Sequence, residues 1–434
     1  MAKKRAICLA GGGPAAGLHI GVLKGLKKSG ISFDNKNDVW ALSCIGAWVG
    51  IVYIQAKAGK EIEETTNFFR NVFRDDKSFK SFPINTIFAP DWAGNAEAML
   101  DFLLEPKNYR NAFLPREITK SFMESMSALR RMSGIRRKRG PEYDEFEISG
   151  AFSEGDFNRW TLNNVLAVNP AVRFLTALMY KSKINGLSRL YYPDSSFLKS
   201  IRFEELYRDE KPVIFHKAWN LTKNRLELFG NKYNKKAKPV KFKDGPEVQY
   251  EGYKLIDAAS LCACSALPFI EQTVEIDGDT YCEGALVDTV NFGNLLTDND
   301  VDEIWVSRIV DAKQIQPPKN LYDSMANLCE LFAATVGEDD VELFKCRFEK
   351  EDGWKDKKII EIPVGNIDFN WTHSNLERGI KHGEEAANEA VKRYNAEVDK
   401  NKKHQIIGPS QAQIKDMLEK ERKERAKERH AAAE

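Results

Sequence analysis

The first sixty residues constrain the fold more than any other part of the chain. Arg5 to Ala10 (RAICLA) is a short apolar run, Gly11 to Gly13 follow as a turn, and Gly17 to Ser29 carries Leu18, Val22, Leu23 and Leu26 at helical spacing. The pattern then repeats. Asp38 to Ser43 (DVWALS) reads as a second buried strand, and Gly46 to Ala58 (GAWVGIVYIQAKA) as a second helix. Strand, turn and helix, twice over, predict a parallel sheet with helices on its faces and so an α/β chain.

Composition narrows what such a chain does. The 434 residues carry 65 Lys+Arg against 64 Asp+Glu, a formal net charge of +1, and 42% hydrophobic residues. That is too apolar for wholesale disorder and too neutral for bulk attraction to nucleic acid. Seven cysteines, an odd number in a long chain, argue for reduced thiols in a cytoplasmic setting rather than a disulfide framework. Met1 to Arg5 is basic, but only Ala6 to Ala10 follows before the glycines, too short for a signal sequence. The longest apolar run, Ala41 to Ala56, contains Ser43 and Gln55 and falls short of the roughly 20 residues that span a bilayer. Peripheral contact with a membrane or lipid surface is compatible with all of this.

Along the chain, the α/β pattern stops near Gly59 and resumes after Tyr250. Between them lie helical patterns at Glu61 to Phe73 and Asn95 to Leu104, and a charged stretch from Ser133 to Phe152. Within that stretch Arg136, Arg137, Lys138 and Arg139 could meet an anionic lipid, but the acids that follow (Glu142, Asp144, Glu145, Glu147) favour an exposed loop. Beyond Tyr250, Asp277-Gly278-Asp279 is a hairpin turn between Val274 to Ile276 and Thr280 to Cys282, and Asp302 to Ile309 is a further strand. A helix from Leu321 to Val336, a strand from Lys358 to Pro363 and a helix from about Ser374 to Glu397 follow. The expected organisation is a core of residues 5–58 and 250–310 with a mainly helical insertion at 59–247. C-terminal elements at 311–398 pack on it, and 399–434 form a charged helical tail.

Three segments carry chemistry. Gly11-Gly12-Gly13 sits between strand and helix, but a dinucleotide fingerprint would want glycine where Ala16 stands, so an anion or oxyanion site fits better. In Leu42-Ser43-Cys44-Ile45-Gly46-Ala47 a buried strand runs into a helix with Cys44 two residues before Gly46, the pattern of a nucleophile elbow. Far downstream, Glu283-Gly284-Ala285-Leu286-Val287-Asp288 places an acid before glycine just after the hairpin.

Together these segments resemble the patatin-like phospholipases. Gly11-Gly12-Gly13 with His19-Ile20-Gly21-Val22-Leu23 is similar to the family's G-G-G-x-R-G…H-I-G-V-L, Cys44-Ile45-Gly46-Ala47 to its S-x-G-A, and Glu283 to Asp288 to its D-G-G/A-L-V-D. Ala258 to Pro268 and Val274 to Tyr281 resemble the segments that precede the family's catalytic acid. The resemblance implies a three-layer α/β/α fold and a two-residue dyad that cleaves acyl esters without histidine. It gives Cys44 as nucleophile, Glu283 as base, and Gly11, Gly12 and Gly13 as oxyanion donors, with Ser43, Gly46, Gly284 and Asp288 in support. The departures are Cys44 for serine, Glu283 for aspartate, and Ala15 and Ala16 where the family has Arg and Gly.

Other readings of these residues stay open. Ser43 could be the nucleophile, although in the elbow register it points back into the sheet, and Asp288 could be the base. Cys262, Cys264 and Cys282 raise a metal site, but zinc spacing is lacking, so no metal or cofactor is expected. His19, His216 and His373 read as structural, and Trp40, Trp48 and Trp92 as core. The expected function is hydrolysis of lipid-like esters or thioesters through an acyl-enzyme. Its rivals are an acyltransferase or thioesterase with little phospholipase activity and a silent lipid-binding or scaffold protein. Sequence does not give the oligomeric state.

Overall fold

The computed structural model describes residues 4–81, 185–189, 195–232, 253–290, 292–297, 300–309, 317–318, 321–350, 357–365, 368–398, 405–410 and 412–416, with short pieces at 89–90, 101, 104, 136–137, 146–147, 240–241, 247–248, 419 and 423. Two compact units divide the chain, Pro90–Leu187 and the remainder. In the smaller unit Arg136–Arg137 pairs antiparallel with Phe146–Glu147, so Arg136 stands in register with Glu147. Trp92 and nearly all of the expected helix at Asn95 to Leu104 lie outside the described residues.

The larger unit is built on one nine-stranded sheet. Its strands are β1 (Arg5–Leu9), β2 (Val39–Leu42), β3 (Val213–Asn220), β4 (Arg225–Gly230), β5 (Val274–Ile276), β6 (Asp279–Glu283), β7 (Glu303–Ile309), β8 (Lys358–Val364) and β9 (Gln405–Ile407). The order across the sheet is β5-β6-β3-β2-β1-β7-β8-β9, with β4 also on β3. From β2 to β9 the pairs are parallel, as the opening pattern predicts. Its helices include α1 (Ala16–Lys28), α2 (Ile45–Gln55), α3 (Glu61–Val72), α4 (Ala258–Ala263), α5 (Leu321–Lys350) and α6 (His373–Glu397).

Strand alternation divides the core. Ile7, Leu9 and Trp305 join the apolar cluster that includes α1, α2 and α6, whereas Ala6, Cys8, Ile304 and Val306 join one that includes Val341 and Phe344 of α5. A sheet covered on both faces explains why β1 after Arg5, and β2 along its whole length, are apolar. The result is the three-layer α/β/α fold.

Several elements depart from the sequence reading. α1 is buried on nearly all sides rather than along one leucine stripe, because α6 covers its glycine face. A Cβ on Gly21 would lie 2.1 Å from the Ile380 carbonyl oxygen, and one on Gly383 would lie 2.0 Å from that of Leu18. β3 and β4, in the stretch read as a helical insertion, are strands of the main sheet. Sequence hides β3 because His216 and Lys217 interrupt its apolar run, and Lys217 is buried in an ion pair with Asp288. The C-terminal stretch read as a helical tail supplies β9, which extends the sheet beside β8. α5 runs on past Val336 to Lys350.

One register detail positions the site. β4 occupies one flank of β3 along Phe215–Asn220, which leaves β2 and β6 to share the other flank. Leu42, the last residue of β2, is opposite His216, and Glu283, the last of β6, is opposite Ala218. The two strands run toward each other, so their C-terminal ends meet, and Cys44 lies two residues beyond Leu42.

Candidate active site

The turn after β2 is strained in the way an elbow requires. The Ser43 N–H donates to the Leu9 carbonyl at 3.0 Å, tying the strand end to β1. The chain then bends through Cys44 at φ 47° and ψ −121°, a conformation that costs a non-glycine residue on the order of 1–3 kcal/mol, and α2 starts at Ile45. Gly46 makes the bend possible. A Cβ there would sit 2.2 Å from the Leu9 carbonyl oxygen.

Glu283 closes on this turn from the end of β6, its N–H held by the Ala266 carbonyl at 3.0 Å. Its carboxyl is buried, whereas Cys44 is partly open. Burial lifts the Glu283 carboxyl to about 7, and a hydrogen bond with the Cys44 side chain opposes that rise. Burial also pushes the Cys44 thiol well up, reinforced by the Glu283 charge and hydrogen bond. At neutral pH the pair therefore holds one proton on sulfur, with the carboxyl near its midpoint. The Ile45 N–H, at the start of α2, is hydrogen-bonded to the sulfur and favours the thiolate.

The glycine turn completes the site. A Cβ on Gly11 would lie 3.2 Å from Cβ of Cys44, 3.3 Å from Cβ of Ala285 and 4.0 Å from Oε1 of Glu283, so bare backbone lines this corner. Among the described residues, the N–H groups of Gly11, Gly12 and Gly13 donate no hydrogen bond. Unpaired backbone donors at a helix N-terminus, beside a thiol, are what a developing oxyanion needs.

Of the remaining residues singled out from sequence, Ser43 is buried, and Gly284 packs its Cα against the Lys217 backbone. Asp288 is engaged by the buried Lys217 ammonium. Cys262, Cys264 and Cys282 are buried free thiols, and among the described residues no group of three or more His, Cys, Asp or Glu is arranged to hold a metal. His216 stacks on Phe229 with centroids 5.3 Å apart, and burial lowers it to about 3, so it stays neutral. His373 donates through Nε2 toward the Arg70 and Phe73 carbonyls at the end of α3.

The contact that Cys264 makes and the residue Glu271 both escape sequence reasoning. Cys264 accepts the Cys44 N–H on its sulfur, steadying the strained residue. Glu271 is buried, accepts the Ser188 hydroxyl at 2.7 Å, and leaves Oε2 without a partner. Burial lifts its carboxyl to about 8, with the Glu283 charge adding to the rise. The only sequence signal was its place between the loop and the hairpin.

A family model described as patatin-like phospholipase matches residues 7–296 and so takes in the stretch between the motifs. The chain belongs to the patatin-like phospholipase family. Membership in that family supports lipid ester hydrolysis as the general class of activity. As a patatin-like chain it is similar to the crystal structure of VipD from Legionella pneumophila, at 14% identity, covering 90% of this chain and 67% of that one with a TM-score of 0.34. The crystal structure of the type III effector protein ExoU is similar at 10% identity, over 91% of this chain and 54% of that one, with a TM-score of 0.22. This patatin-like chain thus spans about half the length of ExoU. No curated protein matches it. Among the described residues no helix is long and apolar enough to cross a membrane.

Proposed function

We propose that the protein is an acyl hydrolase of lipid-like esters or thioesters that works through a Cys44-Glu283 dyad. The observation that carries this reading is the strained Cys44 turn held against a buried carboxyl whose pKa lies near neutrality. Glu283 takes the thiol proton as the sulfur bonds to the acyl carbonyl carbon, and the carbonyl π pair moves to oxygen. The free N–H groups of Gly11, Gly12 and Gly13 receive that oxyanion. Collapse expels the alcohol or thiol with the proton from Glu283 and leaves an acyl-thioester on Cys44. Glu283 then deprotonates water, or an acceptor alcohol in a transferase, to release the acyl group.

The surroundings suit a lipid. Phe269 is 62% exposed at φ 74°, three residues after the Ala266 carbonyl that holds Glu283, and Val287 is 49% exposed four residues after Glu283. We assign these side chains to contact with a lipid surface. A reducing, cytoplasmic setting keeps Cys44 available as a thiol.

The test is turnover of a panel of phospholipids, acyl-thioesters and short-chain esters by wild type, Cys44→Ala, Cys44→Ser and Glu283→Gln, with iodoacetamide labelling of Cys44. Cys44→Ala should abolish turnover and Glu283→Gln should lower kcat by about 10² to 10⁴-fold. Turnover that survives Cys44→Ala excludes the dyad. A wild type that turns over nothing in the panel makes the chain a lipid-binding or scaffold protein.

A further inference from the structure

His19 lies outside the dyad, yet its hydrogen bonds lead directly to the glycine turn. It is fully buried on α1, with Nε2 2.8 Å from the Ala10 carbonyl oxygen and Nδ1 3.0 Å from the Ser307 hydroxyl. Ala10 is the residue before Gly11, and its own N–H donates to the Ser307 carbonyl at 3.1 Å. Three residues thus form a closed ring: Ala10 to Ser307 through backbone, Ser307 to His19 through its hydroxyl, and His19 back to Ala10.

The ring fixes the imidazole's state. A carbonyl oxygen only accepts, so Nε2 carries the hydrogen, and Nδ1 of the neutral ring accepts from the Ser307 hydroxyl. Burial holds the imidazole to about 4, which keeps it neutral throughout the working range and useless as a proton shuttle. What it does instead is mechanical. The peptide plane joining Ala10 to Gly11 contains the Ala10 carbonyl and the Gly11 N–H, so a hydrogen bond that clamps the first aims the second.

We propose that His19, locked by Ser307, is a positioning residue that aims the Gly11 N–H, and through it the turn at Gly12 and Gly13, at the acyl oxyanion. The proposal rests on the acyl-transfer reading above. It separates reactions that build an oxyanion from those that do not. Alkylation of Cys44 by iodoacetamide forms a sulfur–carbon bond and expels iodide with no oxyanion at the glycine turn, whereas acyl transfer passes through one.

The experiment compares wild type, His19→Leu, His19→Gln and Ser307→Ala in three measurements: kcat and KM on an acyl-thioester, the rate of Cys44 alkylation by iodoacetamide, and amide hydrogen exchange in the peptide covering residues 6–18. His19→Leu should lower kcat roughly 10- to 100-fold with KM within about threefold, and leave alkylation within about twofold. It should also speed exchange in the 6–18 peptide by about tenfold or more while the rest of the sheet is unchanged. His19→Gln, whose amide can still donate to Ala10, should recover much of kcat, and Ser307→Ala should fall between. If His19→Leu does not fold, Ser307→Ala decides by the same three readings. Unchanged kcat, alkylation that falls in step with kcat, or unchanged exchange overturns the proposal. If wild type turns over no ester or thioester, the acyl-transfer reading fails, and hydrogen exchange alone still shows whether His19 orders the turn.

Discussion

Cys44 and Glu283 face each other with both side chains holding their protons to higher pH than usual. The thiol is pushed well above its ordinary range and the carboxyl is raised to about 7, so loss of the first proton on raising pH belongs to the carboxyl. A base must be ionised to work. Below pH 7 Glu283 is protonated, so kcat/KM should fall about tenfold per pH unit on the acid side, with an apparent pKa near 7. In Glu283→Gln that limb should vanish, and the residual rate should climb with pH beyond 9 as the thiol ionises by itself. A pH profile of kcat/KM for both proteins checks this, and an acid limb that survives in Glu283→Gln assigns it elsewhere. The positions of Cys44 and Glu283 are legible in sequence because each sits in a short local motif. The ring of Ala10, His19 and Ser307 is not, because its hydroxyl comes from 288 residues downstream. Cys264 and Glu271 are equally silent: nothing in a single sequence says which thiol receives an elbow amide or which carboxyl will be buried.

At the scale of elements, the opening pattern of strand, turn and helix carried the fold because its apolar spacing is local. The elements it missed depart from such spacing. β3 carries a lysine into the sheet, where Asp288 arrives from the loop after Glu283 to meet it. α1 looks amphipathic until α6 is placed on it. Gly17, Gly21 and Gly25 then become the surface against which α6 lies, with Gly379 and Gly383 opposite. Helix propensity alone favours Gly21→Ala by about 1 kcal/mol. Packing opposes it, because the new methyl would meet the Ile380 carbonyl at 2.1 Å and drive the helices apart. Overpacking of this kind costs roughly 1–3 kcal/mol, so Gly21→Ala should destabilise the protein in urea denaturation. A stabilised variant would show that propensity, not helix contact, governs this position.

Across the whole molecule, carboxyls raised by burial make stability fall as pH rises. Glu283 and Asp340 are raised to about 7 and Glu271 to about 8, burial being the main cause in each. A group whose folded pKa is raised contributes its full stability below its unfolded pKa and loses it as pH climbs through the folded value. For Glu271 the loss begins near the ordinary value of 4.5 and is complete above about 8, where the folded chain must hold a charge it cannot solvate. Oε2 has no hydrogen-bond partner to stabilise that charge. Glu271→Gln keeps an oxygen for the Ser188 hydroxyl and removes the ionisation. Its amide loses a partner at every pH alike, so the informative quantity is the change with pH rather than the absolute difference. Relative to wild type, Glu271→Gln should gain roughly 3 kcal/mol between pH 6 and pH 9. Urea denaturation of both proteins at the two pH values measures it. A difference that stays constant would mean that Glu271 ionises in the folded protein as it does in the unfolded chain, and that its buried oxygen is solvated after all.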